Sequence, residues 1–437
     1  MKWICCISVL VLVPFISVGQ ARFDANWCFG NGAGIDFSDT ANIRTFRQSG
    51  MTFETCASFS NFLGKLLFFL QADYSQPTQN PMLLVDSLGN TLQGGDSINV
   101  GISATNGALF LPRSQNVITL FHLGYYDFFT CQACYTLMRT EILVDSTGMG
   151  VVSKNQGMGL SDIEEKIAAV RHANGNDWWI YLHGVFRGLN GLCTDTFYRY
   201  LITPDAILGP FIQQVGRPSC ENYGFAGEMV VSDNGSRMAR VSFGDDILEI
   251  FSIDRCTGLL TSVYTDTIIA YSCEFSPDGK MLYVVQSLDS LAVVSEDRSL
   301  VQYDFSVSDV SPTKTTLFTT IDQQIYLAQL EAGGGKCFLT AVSFISQNDS
   351  PNRSLSVINS PNSSGVACSF QPFSLSLADS SYTDYGLPNM PNYNLGPIGI
   401  YKAGAGRDTV LCPGNSGLRL GTPPLAKLVY RWEPAST

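Results

Sequence analysis

The feature that most constrains this chain is a degenerate repeat: a β-rich run, a tight polar or glycine-bearing turn and a second apolar run recur six times. The copies are Phe59 to Gln71, Ala108 to His122, Ala168 to His183, Met229 to Phe243, Cys273 to Gln286 and Leu327 to Phe344. With their turns placed at Gly64, Gln115, Gly175, Gly235, Gly279 and Gly335, the successive steps are 51, 60, 60, 44 and 56 residues. Such a period suits one four-stranded sheet per repeat. A lone sheet of about fifty residues cannot cover both of its apolar faces, whereas sheets stacked around an axis cover one another, and closing the ring shields most strand edges. The clearest copy is Cys273 to Gln286, where Ser276-Pro-Asp-Gly279 supplies the turn and Met281 to Val285 the strand that follows. Glycine and aspartate recur there because such turns call for a residue that tolerates positive φ.

The repeat predicts an all-β fold, a seven-bladed β-propeller. Six turns account for six blades, and the strands at Asn26 to Phe37 and Arg353 to Asn359 could complete a seventh, shared between the two ends. A β-sandwich, or a pair of them, is the other way to pack the same strands. One segment, Asp162 to Ala169, reads as a helical turn. The composition of 45% hydrophobic and only 15% charged residues, with 40 glycines, agrees with many short strands and tight turns.

The ends read differently. Residues 1–20 have a basic start at Lys2, an apolar run from Ile4 to Val18 and small residues before Gln20, which together predict a signal peptide cleaved near Gly19 or Ala21. The propeller is expected over 21–377. Residues 378–405, rich in Gly, Pro, Asn and Tyr, read as a linker or strap, and 406–437 resemble the opening strands of an Ig-like β-sandwich too short to close alone. No later run is long enough to span a bilayer. The chain is therefore expected to be exported, to the cell surface or beyond, or to the periplasm if no sorting domain follows.

Eleven cysteines follow the leader, and an odd number leaves at least one unpaired. Cys131 and Cys134 flank a two-residue turn, and Cys193 and Cys220 bracket one loop-rich segment, so these four are the disulfide candidates. The Cys131-x-x-Cys134 spacing lacks the βαβ setting of a redox motif. A formal charge of −12, without clustered Lys and Arg, excludes nucleic acid as a partner.

The search for chemistry yields little. There is no Gly-x-Ser-x-Gly elbow, no His-Glu-x-x-His and no phosphate loop, so no catalytic residue, metal or cofactor is expected. Of the three histidines, His122 and His183 end apolar strands, where a hydrogen-bonded structural role outweighs metal ligation, and His172 is the third. Asp195, Asp245 and Asp246 sit in loops. Trp178 and Trp179 are adjacent in one strand and must face opposite ways, so one is expected in the core; the other is expected to pack between blades or, if exposed, to stack on a sugar or peptide, which makes the two the candidate stacking residues.

Several phrases together resemble the secreted, surface-associated propeller proteins of gliding bacteria that use the type IX secretion route and carry PKD or Ig-like modules. They are Trp27 to Phe37, Lys166 to Gly175 with Asp177 to His183, Phe251 to Gly258, Cys273 to Val284, Leu355 to Cys368, Tyr385 to Asn389 and Asp408 to Gly414. The resemblance implies a seven-bladed propeller, Ig-like modules beyond it and glycosylation of Asp-Ser/Thr-apolar tripeptides such as those beginning at Asp86, Asp96, Asp266 and Asp408. It carries over no catalytic set. The expected role is a non-catalytic binding or scaffold module contacting a protein or glycan. The rival is a propeller enzyme, lactonase- or lyase-like, with its site in the central channel; acids or amides converging on the channel mouth would favour it.

Overall fold

The computed structural model describes residues 20–73, 81–125, 135–185, 193–221, 224–287, 298–308, 311–320, 325–343 and 350–398. Their strands pair, in chain order, into seven antiparallel sheets, each beginning where the last ends. Blade 1 is Asn26–Phe29, Asn31–Asp36 and Arg44–Met51, and blade 2 is Ser58–Ser60, Leu66–Ala72 and Met82–Asp86. Five four-stranded blades follow, opening with Ala108–Pro112, Ala168–Arg171, Met229–Val231, Ala270–Phe275 and Ile325–Gly333. This is a seven-bladed β-propeller.

The first strand of each blade lies toward the axis, and burial separates the covered strands from the outermost one. In blade 4 the second strand, Trp178–His183, is buried at every position, while the fourth, Ile207–Ser219, is mostly exposed. A strand covered on both faces needs an unbroken apolar run rather than alternation, and WWIYLH is such a run. The turns between first and second strands fall where the sequence puts them. Gly64, Gly175, Gly235, Gly279 and Gly335 all have positive φ, between 67° and 85°.

Neighbouring blades pack through aromatic and aliphatic side chains. Tyr181 and Phe197 of blade 4 meet Met238 and Phe251 of blade 5, the Phe197 and Phe251 rings 5.2 Å apart. The ring closes where blade 1 meets blade 7, with the Trp27 and Phe37 centroids 5.7 and 5.5 Å from that of Phe338.

The segment after the last strand does not leave the ring; it threads it. Tyr382 exchanges backbone hydrogen bonds with Asn31 of blade 1, and the Thr383 hydroxyl donates to the Ala341 carbonyl of blade 7. Gly386 N–H then donates to Phe53 O, and Pro388 lies parallel to Cys56, just before blade 2. Asn389 donates to Ile167 O at the start of blade 4, and the Tyr393 hydroxyl donates to Phe110 O of the inner strand of blade 3 at 2.8 Å. Asn392 donates to Asp233 O in the inner turn of blade 5, and Ile398 N–H to Ala173 O in that of blade 4. Partners on five blades and on the crossing into a sixth can be met only along the axis. The strap enters the face where the chain crosses between blades, here called upper, and emerges among the inner-strand turns of the lower face. Gly175 and Gly235 serve it as well: a Cβ on either would press into Pro397 or Leu395.

Two expectations differ from the structure. The strands Asn26 to Phe37 and Arg353 to Asn359 do not share a blade: Ser354–Ile358 is the third strand of blade 7, completed by Phe370–Ser376, and blade 1 is built from the N-terminal side with its own third strand. Asp162 to Ala169 is not helical. Ile163 ends a strand and Lys166 bridges in parallel to Asn106, because this run crosses between blades and its backbone groups are claimed by both sides. The expected leader lies outside the described residues, as do the tail 399–437 and the Ig-like segment within it. No helix among the described residues is long and apolar enough to cross a membrane.

The closest approach of strap to ring is at Gly386, where a Cβ would overlap the Glu54 carbonyl, a backbone atom that cannot swing aside. Gly386→Val is expected to lower stability by about 1–3 kcal/mol, the usual cost of overpacking, read as a drop in thermal midpoint against wild type.

Candidate functional site

Trp178 and Trp179 do face opposite ways, but neither is available to a ligand: they are 1% and 5% exposed. Trp178 packs on the strap, its ring 5.8 Å from that of Tyr393 and beneath the Arg171 guanidinium at 3.9 Å. Trp179 turns to blade 5, and its indole N–H donates to Arg255 O at 3.0 Å. Packing, not ligand stacking, is the role of both, because a second strand in a propeller has a neighbouring blade on each face. Cys193 and Cys220 form a disulfide with Cα atoms 4.5 Å apart. Asp245 pins its far end by accepting from Ser219, Ser242 and the Cys220 and Glu221 N–H groups. Cys131 and Cys134 lie outside the described residues. Cys256 is likewise half of a disulfide, and Cys28, Cys56, Cys273, Cys337 and Cys368 are buried thiols.

His122 is enclosed, bonded to Asn99 O at 2.8 Å and to the Thr140 hydroxyl at 3.0 Å, and burial pushes its pKa down to about 4. His172 bonds Cys256 O on the lower face. His183 belongs to a buried ion network between blades 4 and 5 with four members that sequence reasoning missed. Glu164 accepts from Arg240 at 2.5 Å, from Lys166 at 2.9 Å and from His183 Nδ1 at 2.9 Å, while Arg240 also reaches Glu249 at 3.1 Å. Arg240 and the other cations hold the Glu164 carboxyl well below its usual range despite burial.

A second buried cluster lies beside it on the upper side of the channel. The Thr105 hydroxyl donates to Glu165 at 2.5 Å and sits 3.3 Å from Glu54, which also accepts from Ser103 at 2.8 Å. Burial raises the Glu54 pKa to about 7, with the charge of Asp384 adding to it. Burial, then the charge of Glu54, pushes Glu165 well above its usual value. Both carboxyls are pushed toward the protonated form and serve as interior hydrogen-bonding groups. The sequence signal was Glu164-Glu165-Lys166, three charges in an apolar crossing, which is unlike a solvated loop.

The open site is on the lower face, where the channel mouth widens into a cavity of about 550 Å³. The N-terminal segment, with Arg22 and Asp24, forms one wall; the inner turns of blades 5, 6 and 7, with Asp233, Pro277 and Gly333 to Gly335, form another. Strap residues Met390 to Asn392 and Asn394 line it as well, with Trp27, Phe37 and Thr40 behind. Asp233 is exposed to the cavity yet surrounded by protein, and burial together with the charge of Asp24 lifts its pKa to about 6; burial lifts Asp24 too. Two acids of raised pKa, the charge of one acting on the other beside an open cavity, have the form of a ligand or acid–base site. Neither was singled out in the sequence, since Asp24 and Asp233 are 209 residues apart and meet only because the ring closes. Among the described residues no group of three or more His, Cys, Asp or Glu is placed to hold a metal ion.

The class defined by fold and site is thus a β-propeller with its own chain along the axis and a single-ended cavity at the lower mouth. No protein-family model matches the chain, and no curated protein is significantly similar to it. Among solved structures it is similar to a candidate 6-phosphogluconolactonase of Bacteroides fragilis, with 10% identity, a TM-score of 0.49 and coverage of 84% of this chain and 99% of that one. A second candidate 6-phosphogluconolactonase, from Bacteroides uniformis, gives 13% identity and a TM-score of 0.44 over 76% of this chain and 91% of the other. The β-propeller domain of Myceliophteria thermophila Cps50 gives 10% and 0.42 over 73% and 93%. Likeness at this level says nothing of activity, and the blade count rests on the strand pairing itself.

Two measurements follow from the buried charges. Unfolded glutamate loses its proton near 4.5, whereas folded Glu54 titrates at about 7 and Glu165 is likewise raised well above the unfolded value. The folded state therefore binds more protons and stability falls as pH rises through this window. His122 acts in the opposite sense, but only between about 4 and 6.5, so the fall should be clean from pH 6.5 to 8. Thermal midpoints are expected to drop across that range, and Glu54→Gln, neutral at every pH, is expected to flatten the slope and raise the midpoint at pH 8. Arg240→Met would leave Glu249 buried without its cation and Glu164 short of one. A loss of about 3–5 kcal/mol is expected in denaturant unfolding.

Proposed function

We propose that this chain is an exported, non-catalytic binding or scaffold propeller that holds a protein or glycan partner at the cell surface. The observation that carries this reading is the strap. A central channel threaded by the chain's own residues 382–398, hydrogen-bonded to five blades and to the crossing into a sixth, is a pinned hub whose outward surfaces can carry contacts. Export rests on the leader-like residues 1–20, and a place in gliding-associated, type IX-secreted surface assembly rests on the resemblance of its phrases to that group. The Ig-like segment would extend the hub as a spacer.

The second reading is a lactonase- or lyase-like propeller, and one observation favours it: Asp24 and Asp233, both with raised pKa, face one cavity at the channel mouth. The two readings part in one experiment, in which the mature protein is used both as bait for isolated surface components and as catalyst on panels of sugar lactones and uronate polysaccharides. Retention of a defined protein or glycan with no turnover above background is expected. Turnover that disappears in Asp24→Asn/Asp233→Asn would overturn the scaffold reading in favour of the enzyme.

A further inference from the structure

Cys256 is bonded to another cysteine, and the identity of that partner decides how the end of the chain is held on the ring. The partner is none of the described cysteines: Cys193 and Cys220 hold each other, and Cys28, Cys56, Cys273, Cys337 and Cys368 are thiols. Three cysteines that follow the leader lie outside the described residues, namely Cys131, Cys134 and Cys412.

Position separates these three. Cys256 sits in the turn between the third and fourth strands of blade 5, Ile247–Asp254 and Leu259–Thr267. That turn is on the lower face, where the Cys256 carbonyl bonds His172 and the Arg255 carbonyl accepts from Ala173 N–H, both residues of the inner turn of blade 4. Cys131 and Cys134 belong to the connection between the second and third strands of blade 3, whose ends Tyr125 and Tyr135 are paired on the upper face. The strand Ile247–Asp254 puts the two faces about 26 Å apart, at about 3.3 Å per residue. Cys134 is one residue from Tyr135 and Cys131 is four, which gives them a reach of about 4 and 14 Å, so neither spans the gap. Cys412 starts from the right side. The strap leaves the channel on the lower face, where Ile398 N–H donates to Ala173 O and Arg255 Nη2 donates to Gly396 O at 2.7 Å. From Ile398 to Cys412 the chain can extend up to about 48 Å, well beyond what the neighbouring Cys256 requires.

We infer that Cys256 and Cys412 form a disulfide that clamps the C-terminal segment to the lower edge of blade 5. The inference rests on the export reading, which takes the chain to a compartment where disulfides persist and removes Cys5 and Cys6 with the leader. The bond forms by exchange with an oxidant that carries a disulfide, either a thiol oxidase or an oxidised low-molecular-weight thiol. One cysteine thiolate attacks an oxidant sulfur and expels a thiol, and the second thiolate attacks the mixed disulfide and expels the other. Two protons and two electrons thereby leave the chain as the oxidant disulfide becomes two thiols. The clamp changes how the strap bears a pull from the C-terminal side. Held by hydrogen bonds alone, the strap would be drawn out of the lower mouth one bond at a time. With the disulfide in place, a force applied beyond Cys412 passes into blade 5, and the segment that resembles an Ig-like module starts from a fixed point.

The test is peptide mapping of two preparations: the full chain recovered from an export-competent host, and the mature protein refolded from its reduced state in a glutathione redox buffer. Each is unfolded, its thiols are blocked, and it is digested with trypsin and chymotrypsin without reduction. A peptide holding Cys256 joined to one holding Cys412 is expected in both, with cleavage at Tyr264 separating Cys256 from Cys273. Cys412→Ser is expected to lose that species and to yield one additional blocked thiol, on Cys256. Should the variant fail to fold, the wild-type maps decide. Cys256 joined to Cys131 or Cys134, or recovered as a blocked thiol in both preparations, would overturn the inference and leave the export reading standing. Cys256 joined to Cys5 or Cys6 in the exported protein would remove both, since the leader would have stayed on the chain. A host that does not export the chain, with the Cys256–Cys412 peptide present after refolding, would remove the export reading and leave the clamp.

Discussion

The structure depends on the burial of strands on both faces. A sheet with two apolar faces has no stable existence in water, and each blade here resolves this by lending one face to the blade before it and the other to the blade after. The alternation of Trp178 and Trp179, one toward the strap and blade 3 and the other toward blade 5, is that rule in a single dipeptide. The last contact in such a ring must be made between residues far apart in the chain, and Trp27 and Phe37 on Phe338 make it. The cost of bringing those ends together is met by a large aromatic contact and by the axial strap.

The interior charges follow from the same geometry. Chain segments that cross between blades on the upper side cannot pair all their backbone groups within one sheet, so polar side chains enter with them. Glu164 is held toward its ionised form there because Arg240, Lys166 and His183 converge on it, whereas burial pushes Glu54 and Glu165, which share Thr105, toward the protonated form. The contrast between adjacent Glu164 and Glu165 shows that environment, not residue type, sets the charge.

Much of the fold was legible because its unit is local. A turn that needs positive φ announces itself by glycine, and the five turn glycines from Gly64 to Gly335 marked their blades correctly. The seventh blade was seen, but its strands were assigned to the wrong partners, since Ser354 to Ile358 carries no mark of which sheet it joins. The sites were mostly illegible. Asp24 and Asp233 look like any loop acids in sequence, and they become a pair only when blade 5 swings round to face the N-terminus. Trp178 and Trp179 looked like ligand platforms because a sequence shows an aromatic pair and not what lies over it. Cys193 and Cys220 were found because a bracketed loop is again a local signal.

The strap has a consequence for how the molecule comes into being. Residues 382–398 follow in the chain every blade they fasten, so the full set of groups that holds the strap exists only when all of those blades are in place. The axial hydrogen bonds thus register the completeness of the ring, and a blade out of position would be felt first at the centre.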